Sequence, residues 1–167
     1  MPSMKTIIKI LLAAILALAV RAYAADTTPA TSHGITYPVG WQDWTPISIS
    51  YRADNNTVRI ISGNDVAVKA ARSGSTNPWP NNAIIGKAVW KAAKLKNWKP
   101  ADAPGEFIHA EFMFKDSKKY ADTHGWGWAR WVGMEQDPFE KGMDVCITCH
   151  RPVRDRDWVF TDPAKLP

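Results

Sequence analysis

Cys146 and Cys149 are the two cysteines of the chain, three positions apart, and His150 follows directly. A pair so spaced has three chemical uses: a disulfide, half of a metal site, or thioether bonds to a haem. Zinc would require two further ligands, and with no other cysteine the candidates are His33, His109, His124 and His150. A thioredoxin-like redox pair belongs in a parallel βαβ setting, which the sequence does not show. The adjacent histidine favours the third use. On one helical turn the i and i+3 thiols reach the two vinyl groups of a porphyrin, and the next residue sets its imidazole beneath the iron. A disulfide stands as the alternative.

An iron held this way takes its character from its sixth position. No Met or His follows His150, while Met113, Met134 and Met143 precede it. Met143 is too near in sequence to reach the opposite face of a haem, and Met113 and Met134 read as core fillers. The expectation is an open, five-coordinate iron suited to small ligands, with a closed one as the alternative.

The elements that must position this site are short and rich in aromatics. Nine Trp and twelve Pro in 167 residues do not suit a bundle of long helices. "ISISYR" (47–52) and "TVRIIS" (57–62) flank "ADNN", which reads as a hairpin turn. "AIIGKAVW" (83–90), "EFIHAEFMFK" (106–115) and "WGWARWVG" (126–133) read as further strands. Helices are expected at 64–74, between Asn64 as N-cap and Gly74 as stop, at 116–122, capped by Asp116, and over 138–150. The fold class is mainly β (α+β), an antiparallel sheet with a few short helices, the last carrying C-x-x-C-H.

The N-terminus indicates where such a domain works. Lys5 and Lys9 precede an apolar run from Ile10 to Val20, and Ala22-Tyr23-Ala24 has the form of a signal-peptidase site. Eleven apolar residues are well short of the roughly 20 that span a bilayer. The expectation is a cleaved signal peptide (1–24), a flexible leader (25–35), one domain (36–167) and a periplasmic location. Cleavage would remove three basic residues and no acidic one, taking the formal charge from +5 to +2. Nucleic-acid binding is not implied, and "KAAKLKNWK" (91–99) reads as a solvated segment.

In order and spacing, "YPVGWQDW", "NNTVRIISGNDVAVKAARSG", "WPNNAIIGKAVW", "AEFMFKDSKKYAD", "GWGWARWVG" and "CITCHRPVRDRDWVFT" resemble the cytochrome P-460 family. That family comprises periplasmic β-rich mono-haem proteins and includes the β-type cytochromes c′. The likeness covers roughly residues 37–162. It implies one haem c bound through Cys146 and Cys149 with His150 on the iron, and a homodimer. It also implies a small nitrogen-containing ligand (hydroxylamine or NO) and a periplasmic electron acceptor such as another c-type cytochrome.

Three further residues line up with family positions. Lys87 falls where the hydroxylamine-oxidising members bond a lysine to a porphyrin meso carbon. On a strand it would share a face with Ile85 and Val89, an awkward place for an unpaired ammonium; a snorkelling lysine is the other reading. Arg59 falls on a distal-side arginine that could hold a propionate or a polarised ligand, or else faces solvent. Glu111 falls on a distal carboxylate that removes protons from hydroxylamine, a role helped if apolar neighbours raise its pKa. The resemblance thus implies catalytic Glu111, Arg59 and Lys87. The β-type cytochromes c′ instead cap the pocket with phenylalanine and bind NO or CO without turnover, and Phe107, Phe112 and Phe114 lie near enough in sequence to form such a cap.

Overall fold

A computed structural model describes residues 28–167. The expected signal peptide and the first residues of the leader lie outside the described residues. The rest forms one six-stranded sheet in which every strand pairs antiparallel with its sequence neighbours, in the order β1-β2-β3-β4-β5-β6. The strands are β1 (Thr45–Arg52), β2 (Thr57–Gly63), β3 (Ile84–Leu95), β4 (Trp98–Lys115), β5 (Trp126–Val132) and β6 (Asp137–Pro138). The expected hairpin turns between β1 and β2.

β3 and β4 run longer than expected. Their outer halves form a two-stranded ribbon that leaves the sheet, with Lys91–Glu106 and Lys94–Asp102 ion pairs across it and Trp98 exposed at the tip. The lysine-rich 91–99 segment is therefore solvated, as its composition suggests. Gly86 sits mid-strand because the Phe112 ring on the paired strand lies against it. A Cβ there would come within 2.9 Å of that ring.

α1 (Asp65–Ser73) starts and ends where the sequence places it. The Asn64 side chain accepts from the Ala67 N–H, and Gly74 closes the helix at φ 73°. One helix expectation fails and another is shortened. Residues 116–122 form turns and a short 3-10 helix (Ala121–Thr123), because the Asp116 carboxylate accepts from the Lys118 and Lys119 N–H groups and tightens the chain. The last helix, α2, spans Asp144–His150 and not 138–150. Asp137–Pro138 pairs with β5 as a strand, and Gly142 at φ 75° ends any helix running back from α2.

The sheet separates two cores. On one face Ile47, Ile61, Ile85, Met113 and Trp128 pack with α1, and Cys146 and Ile147 of α2 lean on them. On the other, Phe112 and Trp131 pack with Ile35, Tyr37, Trp41 and Trp44. The described part of the 25–35 leader lies against the sheet. Thr31 and Ile35 are buried, the Trp131 indole donates to the Pro29 carbonyl at 2.9 Å, and His33 Nε2 bonds the Trp128 carbonyl at 2.9 Å.

Candidate functional site

Strand register builds one wall of the site. Ser48 pairs with Ile61, Ile61 with Lys87, Lys87 with Glu111, and Glu111 with Arg130. Residues opposite one another share a face, so these five form one row across β1 to β5, and all five line a cavity of about 830 Å³. Arg59 and Arg52 join the wall toward β1, while Cys146, Cys149 and His150 line it from α2. Every residue singled out in the sequence for cofactor binding or catalysis therefore meets at this one cavity.

The charges on the wall are concentrated on Glu111. One carboxylate oxygen pairs with the Lys87 ammonium; the other pairs with the Arg130 guanidinium and lies 3.3 Å from His109 Nε2. Burial works to raise the Glu111 pKa, but Lys87, Arg130 and His109 outweigh it and hold the group at about 2. This reverses the expectation of a raised value: the neighbours that matter are cations, not apolar side chains. Burial is the main cause that takes His109 down to about 4, with Arg130 and Lys87 adding to it. His109 is therefore a neutral imidazole over most of the pH range. Arg59 is lowered chiefly by burial and then by Arg52, and its Nε, like that of Arg130, is buried with no hydrogen-bond partner among the described residues.

On the α2 side, both cysteines are free thiols, Cys146 half-buried and Cys149 exposed. Burial raises the Cys146 pKa. His150 Nδ1 donates to the Trp158 carbonyl at 2.7 Å, which leaves Nε2 as the nitrogen carrying a lone pair. Burial lowers the His150 pKa despite that bond, which favours the uncharged ring. Trp128 and Phe160 meet the imidazole edge-on at 4.7 and 5.0 Å.

This donor set fits a haem c. It offers two free thiols one turn apart, a neutral imidazole with a free Nε2 and an apolar wall of Ile61, Ile85, Met113 and Val159. Unpaired guanidinium nitrogens stand where carboxylates could be held. Residues 38–161 match the Cytochrome P460 family. The chain belongs to that family. Cytochrome P460 proteins are periplasmic mono-haem c-type cytochromes, and Cys146, Cys149 and His150 are compatible with a C-x-x-C-H attachment motif. No curated protein matches the chain.

The phenylalanine cap considered for the pocket is not where sequence proximity put it. The rings of Phe107, Phe112 and Phe114 belong to the opposite core, where Phe112 meets Trp41, Trp44 and Trp131 edge-on. Strand alternation sends Phe112 and Phe114 to the far side of the sheet from Glu111 and Met113, and Phe107 joins them because the register shifts between Val89–His109 and Trp90–Phe107, a bulge that reverses the alternation. Met134 is 75% exposed, whereas Met113 packs beside Ile85 and Trp128 in the wall.

Sequence reasoning missed Arg130, Phe160 and Trp158. In "WGWARWVG", Arg130 shares a face with Trp126 and Trp128, a signal that could have raised it as an inward-facing cation. Trp158 contributes a main-chain carbonyl, which no side-chain pattern reveals.

Proposed function

We propose that this cytochrome P460 protein works in the periplasm and oxidises hydroxylamine to NO or N₂O, passing electrons to a periplasmic acceptor. One observation carries the reading: the wall facing C-x-x-C-H presents the charged row Lys87, Glu111 and Arg130, while the rings of Phe107, Phe112 and Phe114 pack in the opposite core. A polar, proton-bearing substrate suits such a wall better than an apolar diatomic gas does. Haem c, when bound through Cys146, Cys149 and His150, supplies an iron that takes up electrons.

The protein's own groups do the rest. Hydroxylamine must lose protons as it loses electrons, and the Glu111 carboxylate, open to the cavity, accepts them. Arg130 and Arg59 hold anionic oxygen, on a ligand or a propionate, through charge-assisted hydrogen bonds. His109, neutral and beside Glu111, can hand protons outward. Lys87, which lines the same cavity as Cys146, Cys149 and His150, would be the side chain to link to the edge of a haem held there.

One observation favours a second reading, NO held without turnover. A carboxylate at about 2 is a weak proton acceptor at neutral pH. The two readings therefore turn on Lys87. Were Lys87 linked to a haem edge, it would no longer pair with Glu111 as an ammonium, and one of the cations that hold the carboxyl low would be removed.

The test is the reduced spectrum of the holoprotein together with hydroxylamine consumption in the presence of an oxidised acceptor. A band at unusually long wavelength with NO or N₂O released supports the enzyme. An ordinary haem c spectrum with NO bound and hydroxylamine untouched would move the protein to the binding class.

A further inference from the structure

Lys115 and Asp157 form a second buried ion pair, away from the charged row. The Lys115 ammonium bonds the two Asp157 oxygens at 2.6 and 2.8 Å, with the side chains 7% and 10% exposed, and lies 4.7 Å from the centre of the Trp126 ring. The same carboxylate accepts from the Trp79 N–H at 2.7 Å and from the Trp126 indole at 3.3 Å. The indole also donates to the Asp157 carbonyl at 2.9 Å. So complete a set of partners fixes the backbone of Asp157 as well as its side chain.

That backbone is unusual. Asp157 and Trp158 are consecutive non-glycine residues at φ 49° and 66°, a region that a Cβ disfavours. Such a turn persists where its surroundings impose it. Its consequence is the direction of the Trp158 carbonyl, which accepts from His150 Nδ1 at 2.7 Å, while the Trp158 ring stacks on His124 at 4.2 Å.

We propose that Lys115 and Asp157 are positioning residues for His150: the pair holds residues 157–158 in the left-handed turn that aims the Trp158 carbonyl at Nδ1, and so sets the orientation and basicity of the iron ligand. A carbonyl bonded to Nδ1–H makes an imidazole a stronger donor at Nε2, which favours ferric over ferrous iron. The inference rests on the haem c assignment and is independent of whether hydroxylamine or NO is the ligand.

The test uses the holoprotein of the double variant Lys115→Met/Asp157→Asn, which removes both charges together at nearly constant volume. The expected result is a haem midpoint potential shifted upward and loss of the slowly exchanging His150 Nδ1–H signal in the NMR spectrum in D₂O. A potential and a slow proton identical to the parent's, with only lowered stability, would make the pair a plain anchor and overturn the proposal. If the double variant yields no holoprotein, Trp126→Phe removes one donor to Asp157 and keeps both charges. A smaller upward shift is expected there, and parent values in both readouts would again overturn it.

Discussion

Two of the lysine–carboxylate pairs, Lys115–Asp157 and Lys87–Glu111, share chemistry and differ in surroundings. Lys115–Asp157 is closed: its side chains are only 7% and 10% exposed, and Trp79 and Trp126 donate to the carboxylate as well. Lys87–Glu111 is open: its side chains are 29% and 18% exposed to a cavity, and Glu111 also faces Arg130 and His109. A sealed pair shapes the backbone around it; a pair on a cavity wall keeps groups free to meet a ligand. The contrast lies in what else contacts the carboxylate, not in the pairing itself.

The contrast breaks most visibly at Glu111. Glu111→Gln keeps the shape of the wall and removes its proton acceptor, so hydroxylamine turnover is expected to fall by about 10²–10⁴-fold. NO binding by the holoprotein should be retained. Turnover at the parent rate would mean that the open pair has no chemical role.

Stability gives the next test. Lys115→Met strands a buried Asp157 and is expected to cost about 3–5 kcal/mol in urea unfolding of the holoprotein. Lys87→Met, made at the cavity with Glu111 still paired to Arg130, is expected to change stability by less than about 1 kcal/mol. Equal losses at the two positions would erase the distinction.

The smallest effect is a pH dependence. Glu111 drops from 4.5 to about 2 on folding, so its stabilisation is present above 4.5 and is lost as pH falls from there toward 2. His109, lowered from 6.5 to about 4, binds its proton more readily unfolded, so stability also declines as pH falls from 6.5 to 4. In melting curves at stepped pH, His109→Gln should flatten the upper window and Glu111→Gln the lower one. A Lys87 linked to a haem edge would no longer stand as a cation beside Glu111, and the lower window would narrow.

Much of this was legible in the residues. C-x-x-C-H, the first hairpin and α1 between Asn64 and Gly74 rest on local chemistry, and local chemistry is what a sequence displays. The charged row was only half legible. Lys87 and Glu111 could each be placed on a strand face, but their pairing depends on inter-strand register, and Arg130 enters only when β5 is aligned with β4. The direction of the Glu111 shift was misread for the same reason, since its cations arrive from neighbouring strands. α2 was overextended because an apolar, charged stretch looks helical until Pro138 is seen to pair with Trp131. The Trp158 carbonyl was out of reach altogether, being a main-chain atom aimed by a turn with no glycine to announce it.

The most direct test of the central claim, that the charged row faces the haem held at 146–150, is peptide mapping of the purified holoprotein by mass spectrometry. The account predicts one haem joining the peptide of Cys146, Cys149 and His150 to the peptide carrying Lys87, two hydrogens lighter than the sum of its parts. A Lys87 peptide recovered free, with the haem on the cysteine peptide alone, would contradict it.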